Sequence, residues 1–424
     1  MSELLWIFPL LLVLIFIGLP VGMCLFATSV VILFAHDFPL LPIAHIMYQT
    51  MDSFELSALP VFMLMANIME KARVGEDLFA VMNIFLGRMK GGLAIASVFA
   101  CGFFAAISGS SAATVITIGI VAIPLMLDRG YDRKLVFGTV GSAGLLGVLI
   151  PPSGWMIIYG GIADVSVGAL FTAGVIPGII LMLIFAFITT ILSIRTNAPA
   201  GDIQTWSEKK AVVVKGIPSL LLPVIVLGSI YTGVCTPVES ASVGTIYALI
   251  IAYRKLNKTI IWQILKSTTI MTAMLFLVIK TAVVFGSTLT LLQIPQAMAQ
   301  AAVNAGFGKI GFVLLMMLVY FVLGCFVDGV CMLLLTVPII LPILKALQID
   351  LIWYCIIMVV NMEIGCLTPP FGVNLFALMA LRKDIKLPEV LTGMIPFFVG
   401  LVIFLGIIIA FPDLSTWLPK KLGF

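Results

Sequence analysis

Apolar stretches of about twenty residues, the length a helix needs to cross a hydrocarbon core of about 30 Å, recur along the chain from Leu4 to Phe411. Segments of about ten residues that alternate apolar with polar, the mark of barrel strands, are absent. The pattern predicts an all-α integral membrane protein. The opening stretch from Leu4 has Glu3 but no Lys or Arg before it and no clear small-residue cleavage site after it, so it reads as a retained span rather than a signal peptide.

The polar interruptions repeat. Ile150-Pro151-Pro152-Ser153-Gly154 is echoed by Thr368-Pro369-Pro370-Phe371-Gly372, an offset of 218 residues. The same offset pairs Gly147 with Gly365, Pro124 with Pro342 and Ser110 with Asp328, while Pro20-Val21 and Pro237-Val238 pair at 217. Self-similarity of this period divides the chain into halves of 1–210 and 211–424.

Within the first half, short apolar segments Gly91–Ile107 and Ala112–Leu127 are joined by Ser108-Gly109-Ser110-Ser111 and flanked by Arg88, Lys90, Arg129, Arg133 and Lys134. Short cytoplasmic loops carry an excess of Lys and Arg, so a re-entrant hairpin over 91–127 opening to the cytoplasm is expected. Two ordinary crossings would leave one positive cluster outside. The partner segment, Phe307–Val327 and Val330–Leu344 (307–344), has only Lys309 and Lys345 at its ends, as expected of a hairpin entering from the opposite face. Clusters at Arg195 with Lys209, Lys210 and Lys215, at Arg254, Lys255 and Lys258, and at Arg382, Lys383 and Lys386 fit the same topology. The halves are therefore expected to be inverted repeats. His36–Gln49 and Arg254–Lys266 also correspond at 218 and are too short and polar to span, which predicts two amphipathic helices lying along the interface. The charged stretch Asn197–Lys215 reads as a solvated connector between the halves.

Composition agrees with this reading. The 424 residues are 62% hydrophobic and 10% charged, against roughly 25% charged in soluble domains, and the mean hydropathy is +1.25. A formal net charge of +4 asks for no nucleic-acid partner. Seven cysteines, an odd number without metal-ligand spacing, read as buried thiols. There is no Gly-rich phosphate loop, and His36 and His45 are the only histidines. No enzyme, no cofactor and no transition metal is expected; the energy should come from an ion gradient.

A Pro-Pro step breaks a helix, and broken backbone at membrane depth is tolerated only where it faces protein or a cavity. In each half a polar hairpin tip is expected to meet such a break near the midplane, where freed carbonyls, hydroxyls and half-helix ends hold ions and anionic substrates. Ser108, Gly109, Ser110, Ser111, Gly147 and Pro151 would form one sodium cage; Asp328, Gly365 and Thr368 would form its mate. Asp328, Glu239, Glu363 and Lys280 lie in apolar stretches, where an ionisable group costs about 2.5–3.5 kcal/mol and usually faces a pathway or a partner. For Glu239 and Glu363 a hydrogen bond that pins two helices is an equal reading. Lys280 would meet a substrate carboxylate, pair with a buried Glu, or snorkel. Ser153, Asn374, Lys280 and Glu239 are the substrate candidates.

Four ordered motifs carry a family resemblance: Ser108-Gly109-Ser110-Ser111-Ala112-Ala113-Thr114, Pro151-Pro152-Ser153, Thr236-Pro237-Val238-Glu239-Ser240-Ala241, and Asn361-Met362-Glu363-Ile364-Gly365-Cys366-Leu367-Thr368-Pro369-Pro370-Phe371-Gly372. Together they resemble the large membrane subunit of the tripartite ATP-independent periplasmic (TRAP) transporters, over essentially the whole chain. The resemblance implies an elevator-type ion-transporter fold in the bacterial inner membrane. It also implies sodium-driven import of an organic acid, delivered by a periplasmic substrate-binding protein, and a small four-helix membrane subunit alongside. The pattern starts at the beginning of this chain, so that subunit is expected as a separate chain. Family sodium sites fall on the same two tip-and-break clusters, and a transport domain of approximately 91–161 plus 307–381 is implied. Lys280 departs from the small neutral residues expected at its place. Sialic acid stands first among the family's substrates in this reading, before dicarboxylates, keto acids and sugar acids. A stand-alone sodium/dicarboxylate carrier, or a non-transporting assembly subunit, would also fit the pattern.

Overall fold

A computed structural model describes residues 4–201, 206–304, 306, 308–324, 327–369 and 372–424. Phe307, Cys325, Pro370, Phe371 and the connector residues 202–205, all part of the expectations above, lie outside the described residues.

The described residues form helices and turns. The first half holds α1 (Leu4–Phe16), α2 (Val21–Ala35), α3 (Leu41–Met51), α4 (Ala58–Lys71), α5 (Val74–Leu86), α6 (Gly92–Ser108) and α7 (Ser111–Asp128). It continues through α8 (Arg133–Ala143), α9 (Leu146–Leu149), α10 (Gly154–Ala163) and α11 (Val167–Arg195). The second half holds α12 (Trp206–Tyr231), α13 (Pro237–Ala252), α14 (Lys258–Leu291), α15 (Ile294–Asn304) and α16 (Lys309–Gly324). It ends with α17 (Gly329–Ala346), α18 (Leu351–Leu367), α19 (Val373–Leu381), α20 (Leu387–Ala410) and α21 (Asp413–Leu422). Among the described residues, seven segments are long and apolar enough to cross a membrane.

Local chemistry sets the boundaries. Asp132 caps α8 by accepting from the Leu135 amide at 3.1 Å, and Asn257 caps α14 through the Ile260 amide at 2.8 Å. Asp350 caps α18 through the amides of Ile352 and Trp353 at 2.9 and 3.0 Å. Such caps satisfy amides that a helix start leaves without an intrahelical partner. The segment from Arg133 to Ala163, which contains both the α9 turn and the Pro151-Pro152 break, is 94% buried over its most apolar 18-residue stretch, whereas the corresponding stretch of α11 is 33% buried. The broken backbone is thus wrapped in protein, and the uninterrupted helix carries the outward face.

The halves interleave. Hairpin helix α7 packs against α19 of the other half, and α17 packs against α10. Long helix α14 packs on α2, α3 and α4. At the end of this interface Asp77 of α5 pairs with Lys215 of α12 at 2.7 Å and with Lys255 at 3.2 Å.

One expectation is corrected here. Within the first expected segment, His36–Gln49, a short helix begins at Leu41 (α3), but Arg254–Lys266 does not form a separate counterpart: from Lys258 it runs without a break into the 34-residue α14. The cause is local. After α3 the first half has Asp52-Ser53, favouring a turn, and Asp52 ends the helix with ψ near 10°. The equivalent positions in the second half are Ile270-Met271, which carry the helix on.

Candidate functional site

The first hairpin turns on three residues. Ser110 has extended backbone and caps α7 by accepting from the Ala113 amide at 3.4 Å. The Thr114 hydroxyl donates to the Ser110 carbonyl at 2.7 Å and shares a 3.0 Å hydrogen bond with the Ser108 hydroxyl. Gly147 of α9 lies so close that a Cβ there would sit 2.5 Å from the Ser110 carbonyl oxygen, and one on Gly109 would sit 2.7 Å from that of Pro152. Tip and break are therefore in direct backbone contact, which only glycine permits.

The second hairpin repeats the arrangement with different chemistry. Asp328 caps α17, its Oδ2 accepting from the Val330 amide at 3.1 Å. A Cβ on Gly365 would lie 2.8 Å from the Gly324 Cα, so the glycine paired with Gly147 by the repeat plays the same close-approach role. The Thr368 hydroxyl donates back to the Ile364 and Gly365 carbonyls at 3.3 and 3.1 Å. Beside it a small cavity of about 10 Å³, bounded by Asp328, Gly365, Cys366 and Val373, has room for about one water-sized particle.

Both tips open on one cavity of about 400 Å³. Ser108–Ala113, Pro152–Trp155, Asp328, Val330, Cys366, Val373 and Asn374 line one side; Phe62, Met63, Asn67 and Glu70 of α4 with Met271, Met274 and Leu275 of α14 line the other. The starts of α7, α10, α17 and α19 all reach it, as do the last residues of α6, α9 and α18. Helix starts carry about +0.5 of a charge and helix ends about −0.5, so one chamber offers sites for anions and cations together. Among the described residues, no Lys, Arg or His lines it.

Of the residues singled out by sequence, Ser108, Gly109, Ser110, Ser111, Ser153, Asp328 and Asn374 share this chamber. Asn374 also ties the halves together: it accepts from the Ser111 hydroxyl at 2.8 Å and donates to the Gly141 carbonyl at 3.1 Å. Gly147, Pro151, Gly365 and Thr368 back the tips without lining the main chamber. Lys280 lies half-buried in α14 and does not line it. Glu239 is placed elsewhere: it is exposed and forms a capping box with Thr236, accepting from that residue's amide and hydroxyl at 2.9 Å. A Thr-x-x-Glu spacing at a helix start was the signal for that role.

Asn67 and Glu70, the polar groups of the opposite wall, escaped the sequence reading. They stand three residues apart on a helix that is otherwise apolar up to Lys71 at its end, and that spacing puts both on one face. Asn67 is buried and donates to the Thr268 hydroxyl of α14 at 2.9 Å.

Residues 8–414 match the family model described as Tripartite ATP-independent periplasmic transporter, DctM component. The C4-dicarboxylate TRAP transporter large permease protein of Pseudomonas aeruginosa is 38% identical over 380 residues, 89% of each chain. The sialic acid TRAP transporter large permease protein of Vibrio cholerae is 31% identical over 96% of each chain. In fold, the chain resembles the YdaH transporter of Alcanivorax borkumensis, with a TM-score of 0.63 over 89% of each chain at 15% identity. This chain, a multi-pass membrane protein and not an enzyme, belongs to the DctM family, the large permease component of tripartite ATP-independent periplasmic transporters.

Proposed function

We propose that this permease imports a small organic acid across the inner membrane in symport with sodium, taking it from a periplasmic binding protein and working with a separate small membrane subunit. The observation that carries the reading is the chamber itself. Four helix starts face it and, among the described residues, no basic side chain does, so a carboxylate finds only partial positive charges there. Cations held by the tips would supply the missing charge: at the first, hydroxyls and carbonyls of Ser108, Ser110 and the Pro151-Pro152 break; at the second, Asp328 with the carbonyls around Gly365 and Thr368. Anion and cation then bind better together than alone, and that mutual gain is what coupling requires.

An elevator movement fits the two unlike sides of the chamber. The tips and breaks, in segments 91–161 and 307–381, carry the polar groups; the α4 and α14 wall is dominated by Phe62, Met63, Met271, Met274 and Leu275, a surface suited to sliding. The repeat supports an inverted arrangement of the two halves about the site.

For the substrate, C4-dicarboxylates move ahead of sialic acid, because the relative named for the former is 38% identical and the one named for the latter 31%. The test is uptake of labelled succinate and of labelled sialic acid into proteoliposomes holding both membrane subunits, with an inward sodium gradient, with and without the binding protein. Succinate uptake that needs sodium and the binding protein is expected. Uptake that needs no binding protein would point to a stand-alone carrier.

A further inference from the structure

Two carboxylates line the chamber among the described residues, Asp328 and Glu70. Asp328 serves the second cation seat in the reading above; Glu70 has no part in it. Glu363, fully buried in α18, and Lys280 do not line the chamber.

Glu70 stands at one end of the α4 and α14 wall. The α4 residues that face the chamber are, in order, Leu59, Phe62, Met63, Ala66, Asn67 and Glu70, so that face is apolar at the helix start and polar in its last turns. Helix α14 runs antiparallel beside it, with Thr268 bonded to Asn67 at 2.9 Å and the Thr272 hydroxyl 3.9 Å from the Met63 sulfur. It shows the same gradient in reverse: Thr268 comes before the chamber-lining Met271, Met274 and Leu275.

The polar end of this wall is also a basic end. Lys71 and Arg73 follow Glu70 in the chain. The carbonyl of Ala72 accepts from the Lys255 ammonium at 2.6 Å, and Lys255 shares Asp77 with Lys215. An excess of Lys and Arg marks the cytoplasmic side, so the wall grades from apolar to acidic towards the cytoplasm. The charge of Glu70 is not cancelled locally. Its ion pair with Lys71 is 3.8 Å long, with the two side chains 40% and 39% exposed, and a pair of that kind contributes little. Lys71 itself does not line the chamber.

We infer that Glu70 is a release residue of the permease: its carboxylate repels the carboxylate of the bound acid when the tips stand at the cytoplasmic end of the α4 wall, lowering affinity there and speeding discharge. The inference rests on the organic-acid and elevator readings above. Along Leu59, Phe62 and Met63 no wall charge opposes the anion, so it is held during passage and loosened at the end. A group that meets the substrate at one position of the tips and not at the other shifts the relative affinity of the two.

The experiment compares wild type with Glu70→Gln, Glu70→Ala and Glu70→Asp in the assembled two-subunit complex. Equilibrium binding of labelled succinate and of labelled sialic acid is measured at saturating sodium, together with sodium-driven uptake into proteoliposomes supplied with the binding protein. Removing a like charge about 10 Å from the anion at intermediate dielectric should tighten binding about threefold to about tenfold. Glu70→Gln and Glu70→Ala should both show this gain with a lower maximal uptake rate, and Glu70→Asp should match wild type. Added potassium chloride should narrow the gap between wild type and Glu70→Gln by screening the repulsion. Damage to the fold weakens binding, so tighter binding with slower turnover separates release from structure. The inference is overturned if neither neutral variant binds the acid more tightly than wild type, or if tighter binding leaves the maximal rate unchanged. Binding by wild type that is the same without sodium would overturn the symport reading instead, and the Glu70 comparison would still be decided by the same affinities.

Discussion

The two hairpin tips occupy equivalent places in the repeat yet are built from opposite chemistry. At the first, Ser108, Ser110 and Thr114 hydrogen-bond among themselves, and the tip contains no ionisable group. At the second, a single carboxylate, Asp328, caps the following helix. In each half the repeat-paired glycine approaches the backbone of its hairpin closely, Gly147 at Ser110 in one and Gly365 at Gly324, the last residue of α16, in the other. Close approach of tip and break is therefore the shared requirement, and the oxygen type is what the halves vary. A cage of neutral oxygens loses little when one is removed, whereas a cage resting on one carboxylate loses its only full charge.

The sharpest way to break this comparison is Asp328→Asn. Losing an interaction with a charged group costs about 1.5–3 kcal/mol, so half-saturation for sodium should rise between about tenfold and about a hundredfold. Sodium titration of uptake measures it; an unchanged value would remove Asp328 from the cation site. Next come Gly147→Ala and Gly365→Ala, which force a Cβ onto backbone at 2.5 and 2.8 Å. Overpacking of this kind costs about 1–3 kcal/mol, to be read as a lower melting temperature of the purified complex, and the two should be affected alike. Ser108→Ala removes one neutral hydroxyl, a loss of about 1 kcal/mol, and should raise the sodium half-saturation only about fivefold.

The smallest effects lie away from the chamber. Glu239→Gln disturbs a cap and should leave KM for substrate unchanged; a large rise in KM would restore Glu239 to the substrate site. Asp384, beyond the second break, is held at a pKa of about 2 by hydrogen bonds from Arg382 and Arg133. Because its folded value lies below the ordinary carboxylate value of about 3.9, its stabilisation is present above that value and is lost as the pH falls towards about 2. Asp384→Asn should therefore melt slightly lower than wild type at neutral pH, with the difference fading in acid.

Hairpins, breaks and tips were legible because their signals are local: Pro-Pro steps, a Ser/Gly run, and an Asp-Gly at matching offsets. The family resemblance pointed to the same residues. What the sequence reading missed depends on context. The separateness of the interfacial helix turned on Asp52-Ser53, and their replacement by Ile270-Met271 fused its counterpart into α14. Lys280 and Glu239 drew attention as charges in apolar stretches, yet one sits in the body of α14 and the other caps a helix start. Asn67 and Glu70 enter the chamber through the packing of α4 against the tips, which no spacing along the chain reveals.

The central claim is that a chamber with no basic side chain among its described residues binds its anion with the help of cations at the tips. Its most direct test is equilibrium binding of labelled succinate to the purified two-subunit complex across a sodium titration, with potassium as the balancing ion. Succinate affinity should rise steeply with sodium, and the rise should be blunted in Asp328→Asn. Succinate affinity that is the same in sodium and in potassium would contradict the account.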